Sequence, residues 1–261
     1  MPMPEDESSW GALNVVFATA SGNIRRNNLS DFTNIKRNGK IAMKLQDGDD
    51  LVGVMPCNET DDVLLATHDG KAIRFGVDAV RVFRGRDSTG VRGMRLLGND
   101  RVVSMSVIND DANQFILSVT ENGYGKRTPV DDYRRSGRGG QGVANIETSP
   151  RNGKVMASFA VVDDDQLMLV TNMGQVIRIR VHGGEGDSIR IASRKTQGVR
   201  LFDVADDNNE KVVSAGLVRE TDDDEDGASD EPITSDGENG SDAAAVADTG
   251  GGETGNEETP T

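Results

Sequence analysis

Phe115-Ile116-Leu117-Ser118-Val119-Thr120-Glu121-Asn122-Gly123-Tyr124-Gly125-Lys126-Arg127-Thr128 reads as a β-hairpin. An apolar run with β-propensity enters Asn122-Gly123, where glycine supplies positive φ without steric cost, and a second strand leaves. Inside it sits a phrase that recurs four times: a Thr, a Gly three residues on, an Arg four residues after that. The copies are Thr19/Gly22/Arg26, Thr67/Gly70/Arg74, Thr120/Gly123/Arg127 and Thr171/Gly174/Arg178. Each has its own apolar run, Val15-Val16-Phe17, Val63-Leu64-Leu65 and Leu167-Met168-Leu169-Val170 in the other three. After the turn, Val176-Ile177-Arg178-Ile179-Arg180-Val181 alternates most cleanly, which predicts cations and aliphatics on opposite faces. The turn glycines lie 48, 53 and 51 residues apart, the spacing of one multi-strand blade in a repeat architecture.

The second half of each unit carries its own mark, a polar-Gly-apolar step: Asn38-Gly39, Thr89-Gly90-Val91, Gln141-Gly142-Val143 and Gln197-Gly198-Val199. Further apolar runs follow, as in Leu51-Val52-Gly53-Val54, Val102-Val103, Val155-Met156-Ala157 and Val212-Val213. The pattern predicts about four short strands per unit and an all-β, propeller-like fold. The repeat domain is expected over residues 13–219, with units near 14–56, 62–108, 114–162 and 165–218. Residues 1–12 read as a remnant of a preceding blade or a linker.

Composition divides the chain. Glu220 to Thr261 holds fifteen acidic residues and no Lys or Arg, so residues 1–219 carry 29 acids against 29 bases and the net charge of −15 belongs to the tail. Residues 220–261 are expected to be a disordered acidic tail: a solubilising appendage, or a mobile polyanion that competes for basic surface nearby. Cys57 is the single cysteine, which excludes an intramolecular disulfide framework. The start has no basic and apolar signal pattern, and no run approaches the ~20 apolar residues of a membrane span, so a cytoplasmic location is expected. His68 and His182 lack zinc-ligand spacing. Asp163-Asp164-Asp165 lacks the spaced ligands of a calcium loop and reads as a solvated turn. Gly183-Gly184-Glu185-Gly186 lacks the Lys-Ser/Thr of a P-loop, and Tyr124 and Tyr133 have no neighbouring catalytic constellation. No catalytic or metal-binding residue is expected.

The cations cluster with the repeat. The candidate phosphate-binding residues are Arg25, Arg26, Lys36, Arg37 and Lys40 in the first unit and Arg74, Arg84, Arg86 and Arg92 in the second. Lys126, Arg127, Arg134, Arg135 and Arg138 follow in the third, and Arg178, Arg180, Arg194 and Lys195 in the fourth. Arginine dominates, and its planar fork suits phosphate oxygens. Arg84-Gly85-Arg86 and Gly137-Arg138-Gly139-Gly140 place cations beside glycines, where a polyanion can approach backbone N–H groups. Acids gather elsewhere, in Asp47–Asp50, Glu59–Asp62 and Asp163–Asp165. The Arg four residues past each turn is expected on the perimeter; a structural cation between adjacent blades is the alternative.

Several strings resemble the C-terminal domain of the DNA gyrase A protein: Asn38-Gly39-Lys40-Ile41-Ala42-Met43-Lys44-Leu45, Thr89-Gly90-Val91-Arg92-Gly93, Asn122-Gly123-Tyr124-Gly125-Lys126-Arg127-Thr128 and Thr196-Gln197-Gly198-Val199. The resemblance covers about residues 13–219, and the acidic tail fits it. It implies a β-pinwheel, with a strand exchanged between neighbouring blades, whose basic perimeter wraps double-stranded DNA without sequence preference. It implies assembly with the gyrase A cleavage core and with gyrase B (A2B2), for ATP-dependent negative supercoiling on the bacterial chromosome. ATP and magnesium would belong to the rest of that complex, leaving no cofactor in this chain and no cutting by it alone. The family normally has six blades and a Q-R-R-G-G-K-G box on the first; four units are visible here, and the nearest string is Ser136-Gly137-Arg138-Gly139-Gly140-Gln141-Gly142. The chain thus looks like the last two-thirds of the wrapping domain, and its first unit is expected to lack an exchanged strand. Alternatives are the related C-terminal domain of topoisomerase IV and a propeller-like module that grips acidic protein partners.

Overall fold

A computed structural model describes residues 6–33, 37, 39, 41–109, 113–184, 188–204 and 209–218. The tail, Lys36 and Lys40 lie outside these residues. Fifteen strands among them form four blades in a propeller-like arrangement. The first unit contributes β1 (Asn14–Thr19), β2 (Asn23–Asn28) and β3 (Leu51–Cys57). The second contributes β4 (Asp62–Thr67), β5 (Lys71–Gly76), β6 (Val91–Arg92) and β7 (Val102–Ile108). The third contributes β8 (Phe115–Thr120), β9 (Tyr124–Pro129), β10 (Val143–Ala144) and β11 (Val155–Val161). The fourth contributes β12 (Gln166–Thr171), β13 (Val176–Arg180), β14 (Val199–Arg200) and β15 (Val212–Val218).

The repeated phrase does the same work in each hairpin. Gly22, Gly70, Gly123 and Gly174 have φ of +83°, +82°, +74° and +84°, and each donates its N–H to the carbonyl of the repeated Thr. That Thr is buried, and in the second and fourth blades its hydroxyl accepts from the N–H four residues on. The central strands β4 and β8 are almost wholly buried. Val63 and Leu65 pack with the first blade while Leu64 packs with Ile116, Val130 and Tyr133 of the third unit. Leu117 and Val119 pack with Leu167 and Leu169 of the fourth. A sheet sandwiched between two others has two apolar faces, so its middle strands do not alternate. Trp10, in the residues expected to be a linker, is buried with Val15, Phe17 and Phe32 in the first blade.

Each of the first three sheets borrows its outermost strand from the next unit. The orders are β3-β1-β2-β6, β10-β5-β4-β7 and β11-β8-β9-β14, so β6, β10 and β14 sit on their predecessors' blades. The donating segments, residues 77–96, 130–148 and 188–204, lie across the preceding hairpins as straps. The carbonyl of Gly22 accepts from Gly93 and Met94, that of Gly70 from Asn145 and Ile146, and that of Gly123 from Leu201 and Phe202. The first blade, expected to lack an exchanged strand, has one; the three-stranded blade is the fourth, β13-β12-β15. Donation runs backwards along the chain, so within these residues the last blade has no following unit to supply a strap. Val176 on β13 is accordingly 58% exposed.

The marker glycine of each strap is where the backbone crosses the preceding hairpin. A Cβ at Gly142 (φ +73°) would lie 2.4 Å from the Ala72 carbonyl oxygen. Gly142→Ala is therefore expected to cost about 3 kcal/mol, while Gly174→Ala, with the same hand of φ but open space around it, costs about 1 kcal/mol. Thermal melts of the two variants check the difference.

Candidate nucleic-acid interface

In the first three blades the hairpin cations do not face outward. Arg25, Arg26, Lys126 and Arg127 are buried, and Arg74 is half-buried, because the next unit's strap lies over the return strand that carries them. Arg127 donates from Nε to the Ile189 carbonyl at 2.8 Å and pairs with Asp163. Arg74 donates to Asp62 at 2.7 Å and to the carbonyls of Val130 and Tyr133. Arg26 faces Glu59 at 3.6 Å. Arg25 reaches the Ser88 carbonyl at 2.7 Å and stacks over Phe83, and Lys126 reaches the Ser193 carbonyl. Burial, reinforced by the charge of Arg194, lowers the Lys126 ammonium to about 8. Burial also lowers the Arg25 guanidinium, opposed by Asp87 and Asp31. Arg25, Arg74, Lys126 and Arg127 clamp straps to hairpins and Arg26 is buried beneath one, which is the structural alternative rather than the perimeter role expected of them. Of the acids expected to gather elsewhere, Glu59, Asp62 and Asp163 are instead their partners, and Asp165 is buried, accepting from the Val162 N–H, not a solvated turn residue.

The outward cations are on the straps. Arg84 and Arg92 in the second unit, Arg134 in the third and Lys195 in the fourth are exposed and have no carboxylate partner among the described residues. Arg135 is half exposed and pairs with Asp62 at 2.8 Å and Asp78 at 3.1 Å. Arg37, Arg178 and Arg180 are also exposed, the last two on β13, which no strap covers among the described residues. Arg81, Arg95, Arg190 and Arg200 are exposed strap residues outside the expected set. Their signal in the sequence is position between the hairpin and the marker glycine or just past it, rather than the hairpin rhythm. Arg200 and Arg151 both lie over the Tyr124 ring, at 5.6 and 4.4 Å, and Arg200 donates to the Tyr124 hydroxyl at 3.1 Å.

Charge along the straps is uneven. The second carries five arginines against Asp78 and Asp87, and the fourth has Arg190, Arg194, Lys195 and Arg200 against Asp203. On the third, Asp131, Asp132 and Glu147 balance Arg134, Arg135 and Arg138. Neighbouring straps are hydrogen-bonded to each other. Arg95 N–H donates to the Gly140 carbonyl at 2.8 Å, and the equivalent Glu147 N–H donates to Thr196 at 3.1 Å. Arg86, Arg138 and Arg194 reach the carbonyls of Ile41, Arg92 and Ala144, each at 3.0 Å. The outcome is a linked series of outer segments, cationic on two of three.

Four successive segments, residues 13–58, 61–109, 114–161 and 165–219, match the family described as DNA gyrase C-terminal domain, beta-propeller. The chain belongs to the DNA gyrase C-terminal domain family. It is 39% identical over 285 residues to the DNA gyrase A protein of Rickettsia bellii, covering 91% of this chain and 31% of that protein. With the DNA gyrase A protein of Salmonella typhimurium it is 42% identical over 225 residues, covering 86% and 24%. The chain thus spans less than a third of these gyrase A relatives. A solved gyrase A C-terminal domain superposes with a TM-score of 0.68 at 25% identity, covering 79% of this chain and 66% of that one. The C-terminal domain of DNA topoisomerase IV shares the fold, with a TM-score of 0.71 at 24% identity over 79% and 62%.

Proposed function

We propose that the chain binds double-stranded DNA without sequence preference and wraps it along the outward face of its straps. The observation that supports this most is the run of exposed strap cations at blade intervals on segments bonded to one another. Each phosphate neutralised releases condensed counterions, so affinity falls steeply with salt and hardly depends on sequence. Bending a duplex costs several kcal/mol over 20–30 bp, so one blade is insufficient and successive straps share the load. In the cell the domain would act within a DNA gyrase A protein, cytoplasmic and nucleoid-associated, joined to a cleavage core and to gyrase B in an A2B2 assembly. That assembly, not this domain, would hydrolyse ATP and pass strands. The test is a gel shift with two duplexes of unrelated sequence at stepped salt. Similar affinities and a steep salt slope are expected; preference for one sequence, or a flat slope, sinks the reading.

The acidic tail adds a competitor. Fifteen carboxylates tethered to the same chain are presented at an effective concentration set by the tether. A chain ending at residue 219 is expected to bind duplex about tenfold more tightly at low salt, with the gain shrinking as salt screens both partners. Equal affinity of the two chains leaves the tail a solubilising role.

A further inference from the structure

One set of strap arginines repeats more strictly than the rest. Arg86, Arg138 and Arg194 each stand four residues before a marker glycine, Gly90, Gly142 and Gly198. Each donates from Nη1 to the carbonyl two residues past the preceding unit's marker, at Ile41, Arg92 and Ala144, and all three distances are 3.0 Å. Arg138 makes a second bond, from Nε to the Ala79 carbonyl at 3.0 Å. The acceptors at Arg92 and Ala144 are in β6 and β10, the outermost strands of their sheets. Such a strand has carbonyls with no ladder partner, and a guanidinium reaches them with a charge-assisted bond.

We infer that Arg86, Arg138 and Arg194 are positioning residues that hold neighbouring straps at a set angle and so define the path of bound DNA, rather than gripping phosphate themselves. The inference rests on the wrapping proposed above. A guanidinium tied to the preceding strap is aimed along the protein surface and not at a ligand, whereas Arg84, Arg134 and Lys195 beside it are untethered. The junctions made by Arg138 and Arg194 also have a backbone anchor, Arg95 to Gly140 and Glu147 to Thr196 respectively. Two anchors fix an angle where one allows a hinge. Loss of the arginine bond leaves each strap's outward cations in place but lets successive straps fall out of line. A duplex short enough to touch one strap would not sense that change; one that spans several would.

The test compares the full chain with its triple variant R86Q/R138Q/R194Q on a duplex of about 15 bp and on an end-labelled duplex of about 100 bp, long enough to be bent across several blades. Short-duplex affinity within twofold of native and an unchanged salt slope are expected, since no phosphate contact is lost. The end-to-end energy transfer of the long duplex is expected to fall by at least half. Amide exchange at Arg95 and Glu147 should quicken about tenfold, reporting the loosened junctions without DNA. A salt slope lower by one or more would make these arginines phosphate ligands and overturn the inference. Equal bending by variant and native chain would overturn it as well. Should the triple variant fail to fold, Arg138→Gln alone opens one junction, and the same readings apply with a smaller loss of transfer. A native chain that binds the short duplex yet leaves the long one straight would remove the wrapping proposal, and the inference with it.

Discussion

A chain in which Arg74 and Arg127 are both replaced by methionine is expected to lose about 5 kcal/mol of stability, most of what a domain of this kind possesses. Methionine roughly keeps the volume, so the loss is polar. At Arg127 the Ile189 carbonyl loses its side-chain donor, and the cation over the Phe115 ring at 5.1 Å disappears. At Arg74 the Tyr133 carbonyl loses its side-chain donor, the Val130 carbonyl keeps only the Tyr133 N–H, and buried Asp62 keeps only Arg135. A buried carbonyl left without a partner costs about 1–3 kcal/mol, and stranding a buried charge costs more. The fourth blade supplies the control. Arg178 occupies the same place in the repeat but is exposed and bonds to Gln166 on a strand that no strap covers. Arg178→Met should cost about 1 kcal/mol, because Arg178 is exposed and water can replace it at Gln166. Urea melts followed by circular dichroism give the three values. Native stability in the double variant together with weakened duplex binding would return Arg74 and Arg127 to the perimeter.

That contrast shows where the sequence was legible and where it was not. The hairpins, their turn glycines and the fifty-residue rhythm are local: Asn122-Gly123 needs only its own backbone to declare a turn, and φ of +74° at Gly123 follows. The alternation Arg178-Ile179-Arg180 predicts outward cations, and in β13 it is right, because among the described residues no strap overlies that strand. In β2 and β9 the equivalent cations are buried by a strap whose starting point lies about fifty residues further on. Alternation assigns faces within one strand; it carries no information on what a distant segment will cover. The marker glycines held the missing clue. A Cβ at Gly90, Gly142 or Gly198 would meet a hairpin backbone atom of the preceding unit within 2.4 Å, which is a signature of chain crossing chain rather than of a plain turn. The direction of donation follows from the same contacts, and it moves the uncovered edge from the first blade to the fourth.

The largest effect on DNA should come from exposed strap cations that have no carboxylate partner among the described residues. Replacing Arg81, Arg84, Arg92, Arg134, Arg190 and Lys195 by glutamine is expected to lower duplex affinity about a thousandfold near 0.1 M salt and to reduce the salt slope by about five. All six are exposed; Arg92 also gives its carbonyl to Arg138, but that acceptor is backbone and survives the change. Stability should therefore stay within about 1 kcal/mol of native. The comparison set is Arg101, Lys154 and Lys211. Lys154 already pairs with Asp69 at 2.7 Å and Lys211 faces Glu121 at 3.7 Å, so a phosphate would have to displace a carboxylate already in place. Arg101 stands beside Asp100, at the turn end of the blade rather than on a strap. Neutralising these three should shift affinity less than threefold by the general loss of positive field. The two outcomes separate location from net charge. Equal losses per charge from both sets would mean that DNA senses only the overall electrostatic balance, and the straps would have no special claim to it. A steep loss confined to the strap set requires the duplex to lie along segments that each blade receives from its successor.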